Sequence, residues 1–294
     1  MDNPKMDSPP VYAVRLRRRR RIPPLRKGVY LLPNLLTSAG LFSGFYSIIC
    51  TLNAARAGAT RWYWLAAVMI LVAQLCDALD GRLARLTRST SSFGIQYDSL
   101  ADLVAFGVAP GILVYQWALR PWGRWGWLAA SLYVTCGALR LARFNVQIAS
   151  VEKRYFVGLP IPAAADVIAA TVLLHYRLYH WLGGGGETGK HITMLLLIFA
   201  VAALMVSEIR YYSFKEIRFH HRHPFPVLLG LILLIYLAVG APEVVLFLGI
   251  GSYAASGPLS AIVRRLRGRP PEPAVSAEPP AVRAVVLDKP GQGR

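Results

Sequence analysis

Asp77-Ala78-Leu79-Asp80-Gly81-Arg82-Leu83-Ala84-Arg85 and then, after eight further residues, Gly94-Ile95-Gln96-Tyr97-Asp98-Ser99-Leu100-Ala101-Asp102: this stretch holds four of the chain's 15 Asp and Glu. It joins two long apolar blocks, and those blocks decide what kind of molecule carries it. Of 294 residues, 55% are hydrophobic and 16% charged, a balance unsuited to a soluble domain. The apolar residues gather into about eight stretches of roughly 17 to 25 residues, each long enough to cross a hydrocarbon core of about 30 Å as a helix. They fall near 34–55, 62–80, 95–118, 125–142, 160–182, 191–207, 225–240 and 243–262. The first follows a basic run, as the apolar part of a signal peptide would. It is too long for one and has no small-residue cleavage site leading into a soluble domain, so it counts as a span.

The net charge of +18 invites a nucleic-acid reading, with the arginines at 17–21 as the place to look. Their distribution argues for a membrane instead. If the N-terminus is cytoplasmic, all but six of the 33 Lys and Arg fall on the cytoplasmic side; the exceptions are Arg56, Arg61, Arg120, Arg124, Arg177 and Lys190. That bias predicts both termini inside. The arginine run then faces anionic head groups, at about 1 kcal/mol per charge. Nucleic acid is therefore not an expected partner. Cys50, Cys76 and Cys136 lie in apolar spans without C-x-x-C spacing, which supports neither a disulfide nor zinc.

The organisation expected is a basic cytoplasmic arm at 1–28, a transmembrane catalytic domain at 29–264 and a disordered Pro- and Ala-rich cytoplasmic tail at 265–294. The glycine run at 183–186 reads as a flexible turn and, with no Lys-Ser/Thr after it, not as a phosphate loop. No internal repeat is visible.

An aspartate at mid-span costs about 2.5 to 3.5 kcal/mol on insertion scales, so four together call for a function. Asp77 and Asp80 are read as ending span two at the cytoplasmic edge, and Asp98 and Asp102 as opening span three. Spacings of three and four put each pair on one helical face. Two antiparallel helices joined by a short link bring those faces together at one depth. Four carboxylates so placed repel unless cations lie between them, and hard oxygen donors suit Mg²⁺ or Mn²⁺, two ions being plausible for phosphoryl chemistry. The link itself suits a nucleotide: Gly81 permits close backbone approach, Ala84 keeps the surface low, and Arg82, Arg85 and Arg88 offer charge-assisted bonds to phosphate. Ser91 and Gly94 precede the second pair. The bland alternatives are a proton or cation relay, or inert snorkelling residues at helix ends.

Asp77-x-x-Asp80-Gly81-x-x-Ala84-Arg85, eight residues, Gly94-x-x-x-Asp98-x-x-x-Asp102 resembles the complete signature of the CDP-alcohol phosphatidyltransferase family. The resemblance implies an all-α polytopic membrane protein in which a six-helix core holds a dinuclear Mg²⁺ or Mn²⁺ centre on Asp77, Asp80, Asp98 and Asp102. It implies that Gly81, Ala84, Arg85, Ser91 and Gly94 surround the CDP moiety, with Asn34 and Thr37 of Pro33-Asn34-Leu35-Leu36-Thr37 nearby. Asp102, beside Asp98, matches the general base. Phe106-Gly107-Val108-Ala109-Pro110, Ala138 to Asn145, Gly158-Leu159-Pro160-Ile161-Pro162 and Ser207 to Lys215 resemble the phosphatidylserine synthase branch, which eight spans also suit.

That branch implies CDP-diacylglycerol and L-serine as substrates, membrane lipids as surroundings, a homodimer, and an active site facing the cytoplasm from the inner membrane. Glycerol 3-phosphate, inositol or an inositol phosphate would serve the same chemistry. Arg140 and Arg143 leave span four on the aspartates' side, where a guanidinium can hold a carboxylate or diphosphate, or merely anchor the helix. Gly158 to Pro162 reads as a helix start or a simple turn. Lys215 and Arg210 are open in the way Arg140 is, and His220, His221 and His223 read as an interfacial basic cluster. A cation transporter is the reading from another class. It predicts polar residues continuing across the bilayer, and the far halves of spans two and three are apolar.

Overall fold

The computed structural model describes residues 31–59, 61–87, 91–147, 155–182, 187–212 and 224–267. The basic arm, most of the tail, the glycine run, Arg88, Lys215 and the three histidines of 220–223 lie outside the described residues.

Among the described residues, eight helical rods stand where the apolar stretches placed them: α1 (Leu31–Ala57), α2 (Arg61–Thr87), a composite third rod, α5 (Arg124–Gln147), α6 (Ile161–Leu182), α7 (Glu187–Val206), α8 (Pro224–Gly240) and α9 (Pro242–Leu266). The third rod joins α3 (Ser92–Asp102), a π-helical turn (Leu103–Val108), α4 (Ala109–Val114), a second π turn (Tyr115–Leu119) and a 3₁₀ turn (Arg120–Trp122). Five rods are long and apolar enough to cross a membrane: α1, α2, the composite rod, α6 and α9. α7 and α8 have shorter apolar stretches, His191–Val206 and Leu228–Gly240. α5 has the length, and its tryptophans, glycines and arginines hold down its apolarity. The chain is thus a helical, polytopic membrane protein.

Two expectations need correction. Asp77 and Asp80 do not end their helix, because α2 runs on to Thr87. Gly81, Arg82, Ala84 and Arg85 are therefore helical residues and not a loop: backbone hydrogen bonding continues where apolarity stops. The fold is also not wholly helical. β1 (Tyr155–Val157) pairs antiparallel with β2 (Arg210–Tyr212), Phe156 opposite Tyr211. The ribbon ties the segment before α6 to the one after α7. Gly158 follows it at φ 78°, a conformation that suits glycine, and its N–H donates to the Ile209 carbonyl at 2.9 Å. The Gly158-to-Pro162 segment is thus both a turn and a helix start, since Ala164 N–H already reaches the Pro160 carbonyl.

Packing relies on small side chains, as it does where lipid supplies no hydrophobic drive between helices. Ala66, Ala67 and Ala73 of α2 and Ala164, Ala165, Ala169 and Ala170 of α6 are buried at its seams. At Gly44 of α1, an added Cβ would sit 2.6 Å from the Ala105 Cα, so only glycine lets α1 lie this close to the first π turn. Many other bulky apolar residues point outward. Phe42 is 70% exposed, and α8 exposes Leu228, Leu231, Leu233 and Tyr236, a surface fit for acyl chains.

Candidate metal and nucleotide site

The four aspartates meet where α2 passes α3 and the first π turn. Carboxylate oxygens of Asp77, Asp98 and Asp102 all lie within 4.8 Å of one another, each side chain partly buried. Asp80 faces the same cleft but stands apart from that trio. It is 3% exposed, and its Oδ2 accepts from Thr37 Oγ1 at 2.7 Å. The cleft is walled on the apolar side by Gly40, Leu41, Ala73, Ala101, Ala105 and Phe106. Small residues at Gly40 and Ala73 leave room beside the acids.

Other bonds hold the α1–α3 corner. Ser91 caps α3, its Oγ accepting from Gly94 N–H at 2.9 Å. A Cβ at Gly94 would lie 3.1 Å from that Oγ and 3.5 Å from Asn34 Oδ1, which puts Asn34, Ser91 and Gly94 side by side. Ser38 Oγ and Tyr97 Oη are hydrogen-bonded at 2.8 Å. On the other flank, Asn145 Nδ2 donates to Ser99 Oγ at 2.9 Å and links α5 to α3. The first π turn follows Asp102 directly, Ala109 N–H reaching back to the Val104 carbonyl, and Tyr133 of α5 donates to the Phe106 carbonyl within it at 2.7 Å. Such turns are frequent at functional sites.

Charge explains what the cluster calls for. Asp102 feels Asp77, Asp98 and Asp80 as like charges, with Arg140 the opposing one. Arg140 is buried, 8% exposed, while Arg143 is half-buried and Arg85 exposed on the last turn of α2, its charge acting on Asp77. One partly buried acid trio against so little positive charge is a poor resting arrangement without added cations. All donors are hard oxygens, so the residues fit Mg²⁺ or Mn²⁺.

The structure thus gathers Asp77, Asp98, Asp102, Asp80 and Thr37 around one cleft, while Asn34, Ser91 and Gly94 lie together at the start of α3. Gly81 and Ala84 lie further along α2, where a Cβ on Gly81 would meet nothing nearer than Arg85 Nη1 at 3.9 Å. A fifth acid, Asp166 on α6, is also buried close by; the motif does not include it. The signal for it was a lone carboxylate in the apolar run Ala163-Ala164-Ala165-Asp166-Val167-Ile168.

Comparison with known proteins identifies the family. Over 193 residues the chain is 42% identical to the CDP-diacylglycerol-serine O-phosphatidyltransferase of Helicobacter pylori, covering 65% of this chain and 76% of that one. It is 35% identical over 182 residues to the archaetidylserine synthase of Methanothermobacter thermautotrophicus, covering 61% and 69%. It is 39% identical over 140 residues to the Saccharomyces cerevisiae CDP-diacylglycerol-serine O-phosphatidyltransferase, covering 45% and 50%. A family model described as CDP-alcohol phosphatidyltransferase matches residues 30–255, from the start of α1 into α9 and across every helix that touches the aspartates. The chain belongs to the CDP-alcohol phosphatidyltransferase family.

Proposed function

We propose that the protein transfers the phosphatidyl group of CDP-diacylglycerol to L-serine, giving phosphatidylserine and CMP. The observation that carries this is the convergence of Asp77, Asp98 and Asp102 beside Asp80 in a cleft between apolar helices, in a chain 42% identical over 193 residues to a serine phosphatidyltransferase. Asp77, Asp80, Asp98 and Asp102 would hold two Mg²⁺ or Mn²⁺ ions. When bound, such ions polarise phosphoryl oxygens and neutralise the charge of the departing phosphate.

The chain's own residues do the rest. Asn34, Thr37, Gly81, Ala84, Arg85, Ser91 and Gly94 frame the CDP side, Arg85 supplying a guanidinium for its phosphates. Asp102 takes the proton from the serine hydroxyl as that oxygen bonds to the β-phosphorus. The bond from that phosphorus to the CMP oxygen breaks, and CMP leaves. Apolar helix faces let the diacylglycerol tails stay in lipid throughout. Arg140 and Arg143 offer charge to the acceptor.

The Lys and Arg bias supports both termini and the active site on the cytoplasmic side of the inner membrane, with about eight spans formed by residues 29–264 between the arm at 1–28 and the tail at 265–294. A homodimer is the assembly that the family resemblance supports.

The test offers purified protein CDP-diacylglycerol and Mn²⁺ with L-serine, glycerol 3-phosphate or an inositol phosphate, and follows CMP release. L-Serine is expected to drive it, and Asp102→Asn to lower kcat by about 10²- to 10⁴-fold while the protein stays folded. CMP release with glycerol 3-phosphate and none with L-serine would overturn the acceptor. Wild-type turnover in Asp102→Asn would overturn the general base.

A further inference from the structure

Two buried groups of opposite charge sit on helices that pack against the π turn beside the aspartate cluster. Asp166 of α6 is 8% exposed, and its Oδ1 is buried with no hydrogen-bond partner. Arg140 of α5 is likewise 8% exposed, and its Nε is buried without a partner. Leaving a charged group in that state is costly, and neither atom finds relief in the other. Both feel the reaction centre: the charge of Asp77 acts on Asp166, and Tyr253 and Asp102 act on Arg140. α6 packs on α2 and on the first π turn, and α5 packs on that turn too, so the two side chains approach the cluster from neighbouring helices. Neither lines the cleft that the four aspartates share with Thr37.

A single ligand that satisfies both groups must carry a cation and an anion. An α-amino acid does, and a polyol phosphate does not.

We propose that Asp166 is a specificity residue for a zwitterionic acceptor, its unpartnered Oδ1 accepting from the acceptor's ammonium while Arg140 Nε–H donates to its carboxylate, so that the hydroxyl is presented to Asp102. This rests on the phosphatidyl-transfer reading and adds the element that selects an amino acid. A hydroxy acid of the same length without the ammonium leaves Asp166 unpaired.

The test measures CMP release by the purified full-length protein in detergent with CDP-diacylglycerol and Mn²⁺, using L-serine or 3-hydroxypropanoate as acceptor. The wild type is expected to favour L-serine by at least about ten-fold in kcat/KM. Asp166→Asn is expected to raise KM for L-serine by about ten-fold or more, to shift KM for CDP-diacylglycerol by less than about two-fold, and to leave 3-hydroxypropanoate use unimpaired. An unaltered serine KM, or an equal loss on both acceptors, overturns the proposal. So does equal use of the two acceptors by the wild type, a result that needs no variant to fold. A wild type that uses glycerol 3-phosphate and not L-serine overturns the acceptor reading together with this assignment, whereas serine use with an unaltered KM in Asp166→Asn overturns this assignment alone.

Discussion

The two flanks of the aspartate cluster differ in how far their polar groups are already partnered. On the α1–α3 flank, Thr37 is bonded to Asp80, Ser38 to Tyr97, and Ser91 to Gly94 N–H. On the α5–α6 flank, Arg140 Nε and Asp166 Oδ1 are buried and unmet. Partnered groups hold a fixed shape, which suits a large donor gripped along its length. Unmet groups are a standing cost that a small ligand relieves, and selectivity against analogues follows from leaving them unmet again. On the proposed assignment one flank positions and the other chooses.

Removing divalent metal should abolish the contrast altogether. Chelation with EDTA is expected to stop CMP release with every acceptor, and added Mg²⁺ or Mn²⁺ to restore it; turnover that survives chelation would mean that the aspartates act without a metal. A smaller effect tests the α1 flank alone. Thr37→Val keeps the shape and removes the bond to Asp80, so the Mn²⁺ concentration for half-maximal rate should rise by about ten-fold with KM for L-serine unmoved. If the serine KM moves instead, the two flanks are not separable.

The smallest effect tests the support between the flanks. Tyr133→Phe strands the Phe106 carbonyl of the π turn, at a cost of about 1 to 2 kcal/mol, and should lower Tm in detergent by roughly 2 to 4 °C. An unchanged Tm would show that this carbonyl has no need of the tyrosine.

How much of this was legible in the sequence follows from what each feature depends on. The rods were, because length and apolarity alone set them. The aspartates were, because four costly groups at helical spacing have few explanations. The helical course of Gly81 to Arg85 was not, since hydropathy marks where a segment leaves lipid and says nothing of where its backbone hydrogen bonds end. The ribbon of Tyr155–Val157 with Arg210–Tyr212 is three residues a side, too short for any period to register. The π turns leave no trace in composition: they arise from packing, with Tyr133 and, at the second turn, Tyr63 bonding to carbonyls at Phe106 and Gln116. Asp166 was legible and overlooked. The reasoning that singled out the motif, that a carboxylate in an apolar helix needs an explanation, applied to it with equal force.

The first π turn has a consequence for how the third rod is wound. Taking one extra residue into a single turn puts the half that carries Asp98 and Asp102 out of step with the half from Ala109 onward by one position, about 100° of rotation. The bearing of the two acids around the rod axis is thus decoupled from the face that α4 turns to its neighbours. The chain aims its carboxylates by counting residues, much as a screw is set by a fraction of a turn and then locked.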